Sequence, residues 1–110
     1  MYIKYSDKKL EKLLNNDKLL IRSFGASNAR KIVLRMNQIK AASSLGAMLT
    51  QRVGRCHPLT GDRQGQFAFD VEQPYRLIVI PAYDNKAAEQ VNDLSQVKTI
   101  RIMEVTDYHG

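Results

Sequence analysis

His57 and His109 are the only two imidazoles in a chain of 110 residues. His57 stands immediately before the stretch PLTGDRQGQF, and His109 stands in the closing EVTDYHG, just past an apolar run. A free imidazole titrates near pH ~6.5, so it can both take and give a proton close to neutrality. Cleaving RNA by an internal route needs a base to take the proton of the 2′-hydroxyl, a cation to hold the charge on the phosphoryl oxygens, and an acid for the departing 5′-oxygen. Two histidines and an arginine suffice for this. Arg76 is the first candidate cation. It interrupts the apolar run YRLIVIP (75–81), where a guanidinium is costly unless its head reaches solvent, a carboxylate or a phosphate. A phosphate could be held there by two parallel hydrogen bonds. Arg63, Arg55 and Arg101 are further candidates for RNA or phosphate binding.

Each of these residues also has an ordinary structural reading. A histidine in a loop is often surface decoration, and Arg76 could form an ion pair, for example with Glu104. Tyr75 and Tyr108 could be core or edge aromatics, and Asp62 could shape its turn through side-chain to backbone bonds. Cys56 reads as a small, inert hydrophobe. Cys56, His57, Asp107 and His109 do not have the spacing of a standard zinc site. The chain has no glycine-rich phosphate loop, no Gly-x-Ser-x-Gly and no His-Glu-x-x-His.

The bulk composition is that of an ordinary globular domain: 44% hydrophobic and 25% charged residues. The length predicts one domain over residues 1–110. A single cysteine excludes an internal disulfide and fits a reducing cytoplasm. No apolar run approaches a membrane span, and MYIKYSDKK lacks the apolar core of a signal peptide. The net charge is +6 and is unevenly spread, with 13 Lys/Arg against 4 Asp/Glu in residues 1–63 and 4 against 7 in residues 64–110. A basic half in a small domain points to a polyanionic partner, nucleic acid first.

The elements that must position these groups follow from periodicity. MYIKY alternates and predicts a first strand. Ser6 and Asp7 open a helix whose stripe runs through Leu10, Leu13, Leu14, Leu20, Ile21 and Phe24, with Gly25 at its end and NND (15–17) inside it. Ser27 or Asn28 is placed to cap a second helix with the apolar face Ala29, Ile32, Val33, Met36 and Ile39. Arg30, Lys31, Arg35 and Lys40 would form its basic outer side. The stretch 41–49 is ambiguous between helix end and loop. The period then changes to two. GRCHPL (54–59) reads as a short edge strand and GDRQG (61–65) as a turn. QFAFDVE puts Phe67, Phe69 and Val71 on one face. YRLIVIP is a central strand, residues 83–96 a polar connection, and VKTIRIMEV (97–105) the last strand. The fold class is α+β, with a mainly antiparallel sheet of four to five strands and an N-terminal helical hairpin packed on it.

CHPLTGDRQGQFAF, PYRLIVIP and the terminal DYHG together resemble the HigB-type toxins of the RelE/ParE superfamily, the toxin halves of bacterial type II toxin–antitoxin pairs. The resemblance spans nearly the whole chain, including SDKKLEKL near the start. It implies a compact RelE-like fold and a ribosome-dependent mRNA endonuclease that enters the A site of the 70S ribosome and cuts the message without a metal or other cofactor. It also implies a cognate HigA-like antitoxin carrying a DNA-binding helix-turn-helix. Carried over residue by residue, it gives His57 and His109 the proton transfers and Arg76 the transition-state charge. It has Tyr108 stack on a base or bond near the phosphate, and Asp107 orient a neighbour or contact a base. Where some relatives carry a lysine, this chain has Thr60, and Arg63 or Arg55 would have to compensate. The connection at 83–96 is longer than in the shortest members. A ParE-like inhibitor of DNA gyrase and a basic RNA-binding module without catalysis remain open beside the nuclease.

Overall fold

The polypeptide is described here by a computed structural model, over residues 1–83 and 93–107. Five strands form one sheet: β1 (Tyr2–Tyr5), β2 (His57–Pro58), β3 (Phe67–Asp70), β4 (Tyr75–Pro81) and β5 (Thr99–Asp107), in the order β1-β5-β4-β3-β2. The apolar run YRLIVIP is therefore the central strand, as its composition predicts. Three ladders are antiparallel, and β1 alone runs parallel to its neighbour β5. That parallel pairing is possible because the intervening helices and strands form a long crossover.

The helical part differs from the simple hairpin that the sequence suggests. Helix α1 (Lys8–Leu14) starts where expected, with the Asp7 carboxylate accepting from the Leu10 N–H at 2.7 Å. It ends in the NND stretch, which breaks the helix instead of merely weakening it. Asn15 closes α1, and Asn16 caps α2 (Asp17–Ala41) by accepting from the Leu19 N–H. Asparagine side chains compete for backbone groups, so two in succession favour one cap after another over a continuous turn. Gly25 bends α2 without ending it. Its φ of 82° and ψ of 162° are open essentially to glycine alone, and the helix resumes directly after it. Neither Ser27 nor Asn28 caps a second helix. Asn28 is buried, and its Oδ1 accepts from the Glu72 N–H at 3.0 Å, which ties α2 to the β3–β4 connection. The ambiguous stretch at 41–49 resolves into a short α3 (Leu45–Thr50) capped by Ser44.

One core lies between helices and sheet. Leu20, Ile32, Met36 and Ile39 of α2 and Leu45 and Met48 of α3 pack on Phe67, Phe69, Leu77, Val79, Ile100 and Ile102. Phe67, Phe69 and Val71 share that face, as their alternation predicts. Strand β5 begins and ends two residues later than the pattern suggests, and its pairing with β4 shifts between Ile78 and Val79. Ile78 pairs with Glu104 and Val79 with Ile102, so Met103 is an extra residue. A bulge of this kind resets alternation, leaving Ile102 in the core while Met103 packs with Leu59, Ala68 and Ile78 on the opposite side. The helices thus cover one face of the sheet and leave the other free for polar groups.

Cys56 sits in the core directly before β2, 5% exposed. Burial pushes its thiol up to about 12, and thiolate is the reactive form. In the folded chain Cys56 is expected to resist alkylation by iodoacetamide at pH ~8 and to react rapidly once urea unfolds the protein. Fast labelling without denaturant would refute this placement.

Candidate active site on the open face of the sheet

Directly opposed residues of an antiparallel pair project from the same face. The ladders β2–β3, β3–β4 and β4–β5 therefore align His57, Ala68, Ile78 and Glu104 in one row across the sheet, and Asp70, Arg76 and Thr106 in the next row but one along the strands. Asp70 and Arg76 are side by side, whereas His57 and Arg76 are two strands apart, about 12 Å between Cα positions from standard strand spacings. The site is a strip on the uncovered face, with an exposed imidazole at one edge and a guanidinium near the middle.

Asp70 joins the two ends. Its Oδ1 takes Arg76 Nε at 2.9 Å, and its Oδ2 takes Arg55 Nε at 3.4 Å. The Asp70 side chain is only 12% exposed and that of Arg76 20%, whereas Arg55 is 81% exposed. The Asp70–Arg76 pair is thus a fixed, largely desolvated contact, and Arg55 is a loose outer partner. Arg76 Nη1 also donates to the Tyr75 carbonyl at 3.1 Å. A carboxylate between two guanidiniums leaves a net positive spot with its donors pre-aimed. Glu104, the ion-pair partner considered for Arg76, instead takes Arg63 at 3.2 Å, and Arg63 also reaches Gln66 Oε1 at 2.9 Å.

The backbone below the site is also specified. Arg55 has φ +53°, in the left-handed region that non-glycine residues seldom occupy. Its carbonyl lies 2.8 Å from His57 Nδ1. A carbonyl can only accept, so Nδ1 carries the proton and Nε2 is the nitrogen open to a reacting group. From the helix layer, Arg35 Nε donates to the Asp70 carbonyl at 2.6 Å and its Nη1 to Gln38 at 3.1 Å. Arg35 therefore belongs to the support of the site and not to a basic outer side of α2. It lies flat over Gly54, where a Cβ would collide with its side chain and where φ is +57°. Gly54→Ala is expected to lower stability by roughly 1–3 kcal/mol, measured by urea unfolding. An unchanged midpoint would mean that Arg35 can move aside freely.

The other sequence-derived candidates are placed differently. Arg101 projects from the register position opposite Ile80, about 14 Å along the sheet from Arg76, and its Nη1 donates to the Tyr5 carbonyl at 3.1 Å. Asp107 pairs with Tyr75. Tyr75 packs edge-on against Phe24, with ring centroids 5.6 Å apart, so alternation puts Asp107 on the helix side of the sheet. Tyr108 and His109 lie outside the described residues, as does the greater part of the 83–96 connection. Asp70 and Arg35 are the two site residues that reading the sequence missed. Asp70 had one available signal, a carboxylate in the strand FAFD one hairpin away from the arginine of YRLIVIP. Arg35 had none, because its target is a backbone carbonyl 35 residues away.

The sequence matches no family model and no curated protein. Solved structures do match. The YoeB–YefM complex from Staphylococcus aureus superposes with a TM-score of 0.57 at 17% identity, over 100% of this chain and 98% of the matched one. A YoeB/ParE toxin from Agrobacterium tumefaciens superposes with a TM-score of 0.56 at 10% identity, over 99% of this chain and 100% of the matched one. The end-to-end coverage establishes that this chain has the fold of those toxins.

Proposed function

We propose that this chain is the toxin of a type II toxin–antitoxin pair, of the HigB type, and that it is a ribosome-dependent mRNA endonuclease of the cytoplasm. The carrying observation is the strip on the open face, where an exposed imidazole with its Nε2 open and the paired guanidiniums of Arg55 and Arg76 share one surface. The motif CHPLTGDRQGQF supports the HigB type, and the toxin-like fold supports the class.

In this reading message in the 70S A site lies across β2, β3 and β4. His57 Nε2 takes the proton of a 2′-hydroxyl. The 2′-oxygen attacks the adjacent phosphorus, and the bond to the 5′-oxygen breaks, leaving a 2′,3′-cyclic phosphate and a 5′-hydroxyl. Arg76, aimed by Asp70, binds the phosphoryl oxygens as their charge grows, and Arg55, loosely held, swings onto the same phosphate. His109 is assigned the proton for the leaving oxygen, and Tyr108 and Asp107 its surroundings. No step uses a metal or cofactor. Arg63 holds the turn 61–65 against Glu104 and supplies charge where Thr60 supplies none. A HigA-like, DNA-binding antitoxin is the neutralising partner.

The test is a map of transcript 5′-ends after induction, comparing wild type with His109→Ala in the same cells. New ends within translated regions that vanish in the variant are expected. Growth arrest without new ends, together with loss of supercoiling by purified gyrase, would replace this reading with a ParE-like one. RNA binding without either effect would leave a binding module.

A further inference from the structure

Ile21 and Leu34 are about half exposed, at 49% and 48%, and rank with Tyr2 as the exposed large hydrophobics among the described residues. They meet where α2 bends at Gly25. Between its segments 17–24 and 26–41 runs an open groove of about 470 Å³ with Ile21, Ala26, Val33 and Leu34 on its walls and Arg30 and Asn37 along it. The core-facing stripe of the longer segment is Ile32, Met36 and Ile39. The groove residues recur at three- and four-residue intervals one step around the helix, so this segment has a second apolar face that the sheet does not cover. From position 26 to 37 the groove runs about 16 Å, the length of roughly three helical turns.

We propose that this groove docks an amphipathic helix with acidic flanks, contributed by a different protein chain. An apolar trough between two helical segments accepts the ridge of a third helix. Charge decides what kind. Helix α2 carries Lys18, Arg22, Arg30, Lys31, Arg35 and Lys40 against the single acid Asp17, which stands at the groove's end. Lys18, Arg22, Arg30 and Lys31 are exposed. A second copy of this chain would set those cations against themselves, since a two-fold contact places one patch on its own image. A nucleic acid would use the cations and leave the apolar floor wet. Only an acidic amphipathic helix satisfies both features. The groove lies on the helix layer, away from His57 and Arg76, so the proposal is independent of the nuclease reading.

The probe is a synthetic helix-forming peptide of about 18 residues, with leucines at i, i+3, i+4 and i+7 and glutamates on its flanks, alongside a twin with lysines for glutamates. Each is titrated into the isotope-labelled full chain. The glutamate peptide should shift the amides of Ile21, Val33, Leu34 and Asn37, and the lysine twin should bind at least about tenfold more weakly. Leu34→Asp and Arg30→Glu should each weaken the glutamate peptide by about tenfold or more while leaving growth arrest intact. Equal binding of both peptides, shifts confined to the open sheet face, or retained affinity in both variants would overturn the proposal. Concentration-dependent shifts of the same amides without peptide would overturn it in favour of self-association.

Discussion

His57→Ala should slow message cleavage by about 10²–10⁴-fold, the usual contribution of a positioned general base, and should relieve growth arrest without changing the thermal midpoint. Its small effect on the fold follows from its setting. The ring is exposed on the two-residue edge strand β2, and its hydrogen bond is to the Arg55 carbonyl of its own turn. Losing that bond leaves a carbonyl that water can satisfy. The large effect on chemistry follows from the same contact, which fixes the Nδ1 proton and leaves Nε2 for the 2′-hydroxyl. The decisive measurement is the rate of cleavage of a ribosome-bound message, with unfolding followed in parallel. Cleavage within about threefold of wild type would remove His57 from the mechanism. A comparable loss of stability would mean that the ring is structural.

Asp70→Ala should have the largest effect on stability of any single change on the open face, on the order of 2 kcal/mol or about 10 °C in midpoint. Arg76 is largely buried, and removing its carboxylate leaves a guanidinium in a poorly solvated place without its anion. Asp70→Asn separates charge from shape. The amide oxygen can still accept one arginine hydrogen bond, but two cations now lack their counter-charge. Binding to RNA should then tighten at low salt with a steeper salt dependence. Cleavage should fall, because Arg76 is no longer held in one orientation at the phosphate. Calorimetry and filter binding over a salt series measure the two effects. Equal RNA affinity in wild type and Asp70→Asn would show that Arg55 and Arg76 do not contact the backbone phosphates. An unchanged midpoint in Asp70→Ala would show that the ion pair contributes no net stability.

The strands were the most legible part of the fold because each buried face writes its own alternation. YRLIVIP is apolar on both sides because it is central, and FAFDV alternates because one side faces the helices. The helices were legible as stripes and less so in their breaks. Asn15–Asn16 and Gly25 exchange roles relative to the simple reading, since capping by two asparagines outweighs continuation of the stripe, while a single glycine can bend a long helix that tertiary packing holds together on either side. The bulge at Met103 had no signal in β5 alone. It exists only in the register of β5 against β4.

By itself the sequence determined the α+β class, the central strand, the core face of β3 and the choice of His57 and Arg76 as chemistry-bearing residues. These depend on residue type and local period, which a chain carries along its length. Tertiary structure alone decided who pairs with whom. Asp70 rather than Glu104 meets Arg76, Arg35 reaches a strand carbonyl from the helix layer, and His57 shares a face with Arg76 at a separation of two strands. The physical reason is that ion pairs and cross-strand rows are set by register between segments distant in sequence, and a slip of one residue would send every one of these side chains to the other face.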